Sequence, residues 1–410
     1  MHGHRLMVQP PAPPARTSIV IVSRHRPQAL ERCLTALSRQ DHPAIEIVLV
    51  ADPGSVDICP DLPLKRCVFD QPNIPAARNE GIALSAGEVI AFIDDDALAV
   101  PGWASALTAP FADSRVLAAA GFTRGPDGLS WQARAERLTA SGQTRPIGLD
   151  GAALLPVEGG EPVNTIGTNC AFRRDALLRI GGFDPAYGYY LDESDVNMRM
   201  AARFPQALTA VVPQAQVIHG LAPGADRKAG GVPGDLTRIG RSAAIFARRH
   251  GGGPGWVRES QRRRLLRHML AGRLDPCAVR PLLATLERGL AEGRRAVPAP
   301  LPPWDRPDPP AFRPLPMRPL HEVFLAGWHW QARSLRARAA AAVAEGALAM
   351  ILLLTPGFLP HRMLLTEGGW WEQRGGLWGA SRPGDSPVFL TSWTKRISRE
   401  RGNLLDLSAK

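Results

Sequence analysis

Short apolar runs alternate with helical periods over the first half of the chain. The runs Ser18 to Val22, Ile45 to Val50, Cys67 to Phe69 and Val89 to Ile93 predict buried strands. Apolar residues at helical spacing predict helices at Gln28 to Ser38 and at Ala76 to Ser85. This rhythm is typical of an α/β domain with a mostly parallel sheet covered by helices, which binds ligands at the carboxyl ends of its strands.

The pattern loosens between Gly121 and Gly160, where the only predicted element is a helix around Trp131 to Leu138. Regular elements then return, as a strand, two helices and a long extended run: Asn169 to Phe172, Asp175 to Ile180, Ser194 to Arg203, and Ala207 to Ile218. The sheet domain is expected to end soon after His219.

The remaining chain differs in composition and predicts separate units. Helices are expected at Val257 to Leu270 and at Pro276 to Arg295. Residues 298–319 contain ten prolines in 22 positions, which cannot continue a helix or a central strand and predict an extended connector. A helical stretch is expected from Leu320 to Leu354. The predicted organisation is a disordered leader (1–16), the α/β domain (17–225), a helical extension (226–297), a Pro-rich linker (298–319) and a helical and aromatic C-terminal region (320–410).

Composition narrows the class of protein. The 410 residues are 45% hydrophobic and 21% charged, which is typical of a globular protein and excludes disorder of the whole chain. The five cysteines form no C-x-x-C pair, which argues against a zinc ribbon or a secreted disulfide framework. The best apolar run, Ala339 to Leu354, falls short of the roughly 20 residues that span a bilayer. We therefore expect a cytoplasmic protein with reduced thiols and no transmembrane helix.

The net charge of +11 is unevenly distributed. Residues 1–220 hold 19 basic and 23 acidic side chains, whereas residues 221–410 hold 30 and 15. The basic half predicts an anionic partner or surface, and one candidate is the cytoplasmic face of a membrane. Its strongest cluster, with spacings near a helical period, is Arg258, Arg262, Arg263 and Arg267. The alternative is a helix that packs through Leu265 and leaves these arginines in solvent. No nucleic-acid-binding motif accompanies the charge, so no nucleic-acid partner is expected.

Three consecutive carboxylates, Asp94, Asp95 and Asp96, directly follow a predicted strand. Like charges at this range repel one another unless a cation or bound hydroxyl groups compensate them. Oxygen ligands favour a hard cation, Mg²⁺ or Mn²⁺, which also takes phosphate oxygens from a substrate. A solvated acidic turn is the alternative for this motif taken alone.

A second acidic group opens the helix that contains Ser194. Asp195 and Arg199 are four residues apart and are predicted to pair on one helical face. Asp192 and Glu193 lie just upstream, where either carboxylate could take a proton from a hydroxyl group. The alternative for both residues is a structural role, in which their negative charge interacts favourably with the positive end of the helix dipole at the helix N-terminus. His219 closes the last extended run. A lone histidine there indicates a functional role only if other functional residues lie near it, and this stretch of sequence alone does not show such neighbours.

Six blocks occur in order: TSIVIVSRHRPQALERCLTAL, VLVADPGS, NIPAARNEGIALSAGEVIAFIDDDA, GTNCAFRRDALLRIGGFD, LDESDVNMRM and VIH. In this order and spacing they resemble the family 2 nucleotide-sugar glycosyltransferases of GT-A fold. The resemblance covers Thr17 to about Leu221, roughly half of the chain. It implies an inverting transfer of a sugar from a nucleotide diphosphate donor to an acceptor hydroxyl, in bacterial glycoconjugate or polysaccharide synthesis.

The resemblance also assigns roles by position. It places Ser23, Arg24, Asp52 and Arg78 in the pocket for the base and ribose. It places Asp94, with Asp95, against the donor, where Asp94 binds ribose or sugar hydroxyls. Asp96, in the DxD motif, and His219 would hold Mn²⁺ or Mg²⁺. Gly167, Thr168 and Asn169 would line the donor sugar. Either Glu193 or Asp192 would be the catalytic base.

Two departures from the family pattern affect these assignments. The family commonly has Glu-Asp where this chain has Asp192-Glu193, so the aligned base is Glu193 and Asp192 remains a competitor. The usual glycine before the Ala-Arg-Asn block is replaced near Ile74-Pro75. A UDP-sugar is the favoured donor, and the acceptor is left open among a saccharide, a lipid-linked saccharide, a protein and a small molecule. The alternative function is an inactive nucleotide-sugar-binding scaffold with a basic interaction region.

Overall fold

The computed structural model describes residues 14–224, 227–296, 300–316, 321–382 and 384–405. Most of the predicted leader, and the two ends of the predicted linker, lie outside these residues. No helix in the described ranges is both long and apolar enough to cross a membrane.

A large sheet forms the centre of the N-terminal domain. Its main path runs in the order β10-β12-β6-β11-β4-β1-β2-β3, with β5 paired to β12 and β7 paired to β6. The strands are β1 (Thr17–Ser23), β2 (Ile45–Ala51), β3 (Lys65–Val68), β4 (Val89–Asp94), β5 (Ala97–Ala99), β6 (Val116–Arg124), β7 (Trp131–Ala133), β10 (Ala153–Pro156), β11 (Asn169–Arg173) and β12 (Leu208–His219). The pairings among β1, β2, β3 and β4 are parallel, whereas β11 is antiparallel to both of its neighbours.

Helices cover both faces of this sheet. They are α1 (Pro27–Leu37), α2 (Ile74–Leu84), α3 (Trp103–Thr108), α4 (Arg174–Arg179) and α5 (Asp192–Arg203). The residues of β2 are buried throughout, as expected for a parallel strand between two helical layers. The predicted class, a mixed α/β fold with a mainly parallel sheet and flanking helices, is confirmed, and the predicted Asp195–Arg199 pair forms with Nε and Oδ2 2.7 Å apart.

One prediction in this domain is wrong. The expected helix around Trp131 to Leu138 is two short strands, β7 and β8 (Glu136–Leu138), and β8 pairs with β9 (Thr144–Pro146) as a small antiparallel sheet. Only about eight residues carry the apolar period here, which is too few to separate a helix from short strands.

The predicted helical extension folds as α6 (Thr237–His250), α7 (Gly255–Leu270) and α8 (Val279–Arg295). Its core joins the N-terminal domain through Leu138, Tyr187 and Leu191. Helices α6 and α8 approach closely because glycines line their contact. A β-carbon at Gly289 would overlap the carbonyl group of Thr237.

The Pro-rich segment has no helix or strand within 300–316, but it is anchored to the N-terminal domain. The Arg313 amide donates to Oε2 of the buried Glu46 at 2.8 Å, and the Leu315 amide donates to the Ile45 carbonyl at 2.8 Å. Lys65 bonds both Glu46 and the Pro310 carbonyl, each at 2.9 Å. Residues 300–316 of the expected connector therefore form no helix or strand, and these hydrogen bonds hold the connector against the sheet.

The C-terminal region corrects a second prediction. The expected helix from Leu320 to Leu354 is a strand, a helix and a strand: β13 (Glu322–Trp328), α9 (Ala332–Ala344) and β14 (Leu348–Thr355). With β15 (Arg362–Leu365) and β16 (Trp371–Gly376) they form a four-stranded sheet in the order β13-β14-β16-β15. Helix α10 (Trp393–Leu405) packs beside it. The apolar run in β14 is a fully buried parallel strand, which hydropathy alone does not distinguish from a buried helix.

The close contact between α6 and α8 predicts a specific sensitivity. Gly289→Ala should lower the free energy of unfolding by about 1–3 kcal/mol, because the added methyl group must push the two helices apart. Urea denaturation monitored by circular dichroism measures the change.

Gly402→Ala is the matched control, since Gly402 lies in α10 and an added β-carbon there meets no atom within 4 Å. This variant should be neutral or more stable by up to about 1 kcal/mol, because alanine favours a helix over glycine. A Gly289 variant as stable as the wild type would contradict the close packing.

Candidate active site

Three strands of the central sheet deliver polar residues to one edge. Asp94 is the last residue of β4 and His219 the last residue of β12. Thr168 lies immediately before β11, which is antiparallel to β4 and pairs Asn169 with Ile93. The carboxyl edge of the parallel strands is where the sequence predicts ligand binding.

Asp94, Asp96 and His219 form a candidate metal centre at this edge. His219 Nε2 lies 3.1 Å from Asp96 Oδ1 and 3.9 Å from Asp94 Oδ2, and one ligand atom from each residue falls within 4.8 Å of the others. Two carboxylates and an imidazole suit Mn²⁺, and the carboxylates also suit Mg²⁺. The structure thus brings together the two predicted metal ligands and adds Asp94 to them.

Asp95 does not face this centre. Its side chain is buried, accepts a bond of 2.7 Å from the Ser23 hydroxyl group and lies 2.9 Å from Arg26. Burial raises its pKa to about 7, helped by the neighbouring charges of Asp96 and Asp94. Its carboxylate is directed to the interior, and the predicted contact of Asp95 with the donor stays a prediction.

Asp96 is held by several donors. Arg26 lies 3.4 Å from its Oδ2, Arg227 donates to the same oxygen at 3.1 Å, and the Ala222 amide does so at 2.7 Å. Burial would raise the pKa of Asp96, but the hydrogen bond to His219 and the charges of His219 and the two arginines hold it well below its usual range. Asp96 is therefore a carboxylate, the form that binds a metal ion.

His219 is oriented from both sides of its ring. Gln132, on β7, lies with its Nε2 2.9 Å from His219 Nδ1, while Nε2 of the ring faces Asp96. Burial of the imidazole lowers its pKa, but the bond to Asp96 outweighs burial, and the net shift is upward. A partner on the far nitrogen fixes the direction in which a metal-binding histidine points.

A strained turn delivers the second acidic group. Tyr190 and Leu191 have φ values of 72° and 63°, in the left-handed region that costs about 1 kcal/mol or more for such residues. The turn is held from α6, where the Ser242 hydroxyl group donates to the Tyr187 carbonyl at 2.7 Å. Helix α5 begins directly after it, so Asp192 and Glu193 lie in its first turn.

The two carboxylates of this turn have different environments. Asp192 is buried and bonds Arg78 Nη1 at 2.6 Å. The Glu193 side chain is 20% exposed, accepts the Gly167 amide at 3.2 Å and lies 3.8 Å from Arg78. Desolvation raises the pKa of Glu193 to about 8, with the charge of Asp192 adding to the shift. A partly exposed carboxylate with a raised pKa has the properties of a general base.

Arg78 lies among the carboxylates of the candidate site. Its buried guanidinium sits between Asp192, Glu193 and Asp94, with Nη2 3.5 Å from Asp94 Oδ1. It also packs over the rings of Phe92 and Phe183. Its charge is balanced by three carboxylates of the site, and its role in a base and ribose pocket stays a prediction.

Of the predicted donor-sugar segment, two residues lie at the site and one does not. Gly167 bonds Glu193, and the Thr168 hydroxyl group donates to Asp94 Oδ2 at 2.6 Å. The Asn169 side chain is buried, accepts from Trp103 at 2.8 Å and donates to two backbone carbonyls. Its amide is fully used within the protein, and its predicted contact with the donor sugar stays a prediction.

The remaining predicted donor residues lie at the ends of β1 and β2. The Arg24 Nε donates to Asp70 Oδ1 at 2.7 Å, and Asp52 Oδ1 accepts the His25 amide at 2.7 Å. Burial opposes ionisation of Asp52. Hydrogen bonds, among them those from the His25 and Gly54 amides, outweigh burial, so the net shift of its pKa is downward. The Ser23 hydroxyl group is used by Asp95.

Comparisons with known proteins agree with the sequence blocks. Residues 18–181 match the model of glycosyl transferase family 2. This part of the chain is a family 2 glycosyltransferase domain. A curated relative, the glucosyl-dolichyl phosphate glucuronosyltransferase of Haloferax volcanii, is 29% identical over 188 residues, which are 42% of this chain and 57% of the relative. The chain thus spans little more than half the length of that relative.

Similar solved structures include GalNAc-T7 with UDP, GalNAc and Mn²⁺, at 16% identity and a TM-score of 0.43, covering 57% of this chain and 48% of the other. They also include the mannosyltransferase PcManGT of Pyrobaculum calidifontis with GDP-Man and Mn²⁺, at 17% identity and a TM-score of 0.39, covering 68% and 73%.

A cleft of about 420 Å³ opens beside Glu193. Polar side chains line most of it, including those of Glu136, Gln143 and Asn164, and helix α7 adds Trp256 and Arg263. The helical extension therefore supplies one wall of the cleft, which the sequence did not indicate.

Sequence reasoning missed several residues of the glycosyltransferase site, chiefly Arg26, Arg227 and Gln132. Arg26 lies three residues after the end of β1, so its place at the carboxyl edge could have been predicted. Gln132 and Arg227 carry no such signal, because 87 residues separate Gln132 from His219 and 131 separate Arg227 from Asp96.

The position of Arg78 predicts a structural cost. Arg78→Met should lower the free energy of unfolding by about 3–5 kcal/mol, because it leaves buried carboxylates without a counter-charge. Arg179→Met is the control, since Arg179 pairs with Asp175 at an exposed position and such pairs contribute about 1 kcal/mol or less. Urea denaturation compares the two. Equal losses would contradict an interior role for Arg78.

Proposed function

We propose that the chain is an inverting glycosyltransferase that moves a sugar from a nucleotide diphosphate donor, a UDP-sugar by preference, to an acceptor hydroxyl group. The observation that carries the proposal is the pairing of two chemical centres. A cation site at Asp94, Asp96 and His219 and a carboxylate of raised pKa at Glu193 are joined through Arg78. The family match supports the same reaction class.

The residues of the first centre fit Mn²⁺ or Mg²⁺. Asp96 and His219 would hold the ion with Asp94, and the ion when bound would neutralise charge that develops on the leaving diphosphate. Arg26 and Arg227 lie around Asp96 and can offer further positive charge to phosphate oxygens. Thr168 keeps Asp94 in position from the side of β11.

Glu193 is the proposed base. Its carboxylate takes the proton of the acceptor hydroxyl group while the acceptor oxygen forms a bond to the anomeric carbon. The bond between that carbon and the diphosphate oxygen breaks, and its electron pair leaves with the nucleoside diphosphate. Attack opposite the leaving group inverts the anomeric centre. Asp192, the competing candidate, is buried against Arg78 and is better suited to raising the pKa of Glu193.

The acceptor is proposed to bind in the cleft beside Glu193. Glutamate, glutamine, asparagine and tryptophan side chains in its walls suit the hydroxyl groups and apolar faces of a sugar, so a saccharide acceptor is favoured. The donor base would lie near Arg24 and Asp52, at the ends of β1 and β2. A role in bacterial glycoconjugate or polysaccharide synthesis is part of the same proposal.

Membrane docking through the arginines of α7 gains less support. Arg258 pairs with Glu287, its Nη2 donating at 2.7 Å, and Arg262 and Arg263 lie 3.8 and 3.4 Å from Glu259. Leu265 is buried in the core of the extension. Much of the charge of this cluster is therefore balanced within the protein.

The metal centre predicts metal-dependent nucleotide binding. Asp96→Ala should weaken metal-dependent binding of UDP by at least about 100-fold, since even residues that only orient a metal ligand are worth about 10- to 100-fold. His219→Ala should have a smaller effect and raise the Mn²⁺ concentration needed. Titration calorimetry with Mn²⁺ and with EDTA measures both. Asp113→Asn, at an exposed pair with Arg115, is the control. Equal affinity for UDP in Mn²⁺ and in EDTA would show the metal assignment to be wrong.

The proposed base predicts a pH dependence. Glu193 must be ionised to accept a proton, so the release of UDP from a UDP-sugar, with water or sugar as acceptor, should rise with pH to a plateau above about 8. Glu193→Gln should reduce the plateau rate by roughly 10²- to 10⁴-fold and leave donor binding intact.

Asp192→Asn tests the cause of that pKa. Removing its negative charge lowers the pKa of Glu193, so the rise in activity should move to lower pH while the plateau rate falls less than in Glu193→Gln. A larger loss in Asp192→Asn than in Glu193→Gln, measured at saturating donor, would move the base to Asp192.

A further inference from the structure

Large apolar side chains are exposed mainly on the C-terminal domain. In the described part of the chain, nine such side chains are exposed, and five of them are Trp330, Phe358, Leu359, Val388 and Leu390. We call these five residues the aromatic edge. Trp330 is 68% exposed and Leu390 is 77% exposed. Exposed apolar residues that are grouped together mark an interaction site, whereas scattered ones do not.

The topology of the second sheet places these residues at one end. Strands β13, β14 and β16 are parallel, so their carboxyl ends meet at the same edge. Trp330 lies two residues after β13, and Phe358 lies three residues after β14. The third segment of the aromatic edge contains Val388 and Leu390. A β-bridge between Gly379 and Val388 places this segment near the end of β16.

Three tryptophans connect these segments beneath the surface. Trp328, Trp378 and Trp393 pack against one buried cluster that contains Leu352 and Leu354. The Trp330 ring stacks on Trp328 with centroids 5.2 Å apart, and Trp393 lies 4.2 Å from Trp328.

The other end of the edge is joined to the same cluster. Phe358 lies 5.4 Å from Trp378, whose Nε1 donates to the Thr391 carbonyl at 3.1 Å. The Phe389 amide donates to the Trp378 carbonyl at 2.8 Å, which holds Val388 and Leu390 on either side. The segments that carry the aromatic edge therefore rest on one packed cluster.

The chain around the edge is positively charged. Residues 381–401 contain five cations and two carboxylates. Both carboxylates are engaged within the domain, since Asp385 bonds Arg399 at 2.6 Å and Glu400 lies 3.2 Å from Arg396. Lys395 and Arg401 are exposed. The excess charge around the edge is thus positive and faces solvent.

We propose that the aromatic edge is a membrane-binding surface that inserts into the headgroup region of a bilayer rich in anionic lipid. Tryptophan rings favour the boundary between headgroups and hydrocarbon, and the leucine and valine side chains gain by leaving water. The exposed cations attract anionic headgroups over about a Debye length.

Binding at this edge would carry the whole catalytic domain to the membrane. The C-terminal domain docks on the N-terminal domain through a shared apolar cluster, in which Met350 and Trp371 pack with Ala36 and Ile218. The Met363 amide also donates to the Asp127 carbonyl at 2.9 Å. The inference concerns binding alone and does not rest on the proposed function.

Vesicle co-sedimentation of the full chain tests the proposal. Vesicles of phosphatidylcholine with 30% phosphatidylglycerol should bind the protein at least about tenfold more tightly than phosphatidylcholine alone at low salt. The edge variant Trp330→Ser, Leu359→Ser, Leu390→Ser should lose at least about tenfold of this binding, and Lys395→Gln with Arg401→Gln should lose mainly the dependence on anionic lipid.

The matched control replaces three exposed apolar residues elsewhere, Val68, Leu154 and Leu364, by serine. This control should bind within about twofold of the wild type if insertion depends on the aromatic edge. Thermal unfolding confirms that each variant is folded. Trp330→Phe provides a second measurement, because it should keep vesicle binding and reduce the quenching of tryptophan fluorescence by brominated lipid.

Four outcomes would overturn the proposal. The first is absence of wild-type binding to anionic vesicles, and the second is equal binding by the edge variant and the wild type. The third is a wild-type dimer by light scattering that becomes monomeric in the edge variant without any vesicle binding, which would assign the edge to a second copy of the chain. Loss of binding in Arg262→Gln with Arg263→Gln, but not in the edge variant, would place the membrane surface on α7 instead.

Discussion

The site depends on one buried guanidinium. Arg78 has a negligible share of its surface in water, so it is stable only with anionic partners, and three carboxylates converge on it from two elements. Asp94 comes from the end of β4, and Asp192 and Glu193 come from the start of α5. Because Arg78 holds all three, it fixes the distance between the candidate metal centre and the proposed base. Substrate positioning in a transfer reaction depends on that distance.

The sequence predicted the elements that deliver the site better than it predicted the direction of each side chain. Strand runs and helical periods located β1, β2 and β4, and the rule for parallel sheets located the ligand edge. Strand β4 ends at Asp94, and Asp95 and Asp96 form the turn before β5. Asp94 and Asp96 lie on the side of His219, whereas Asp95 is directed towards Ser23 and Arg26. Burial of Arg78 could not be foreseen, because its partners are separated from it by 114 residues in the case of Asp192.

The errors have a common physical origin. In β14 every residue but the last is buried, since the strand lies between two parallel neighbours, and an unbroken apolar run carries no period that separates strand from helix. Residues 300–316 of the Pro-rich segment form no helix or strand, as expected because proline disfavours both. Its anchoring to Glu46 and Lys65 depends on a buried carboxylate that the sequence shows only as one polar residue within an apolar strand.

The family match and the structure divide the site between two parts of the chain. The matched residues, 18–181, contain Asp94, Asp96 and Thr168, which face the proposed donor. Glu193 and His219 lie beyond the match, and so does α7, which supplies Trp256 and Arg263 to the cleft beside Glu193. The shared segment therefore supplies two of the three candidate metal ligands, Asp94 and Asp96, whereas His219 and the α7 wall of the cleft come from outside it. Acceptor preference can then differ among proteins that share the donor half, because changes in α7 leave the bonds among Arg78, Asp94 and Glu193 in place.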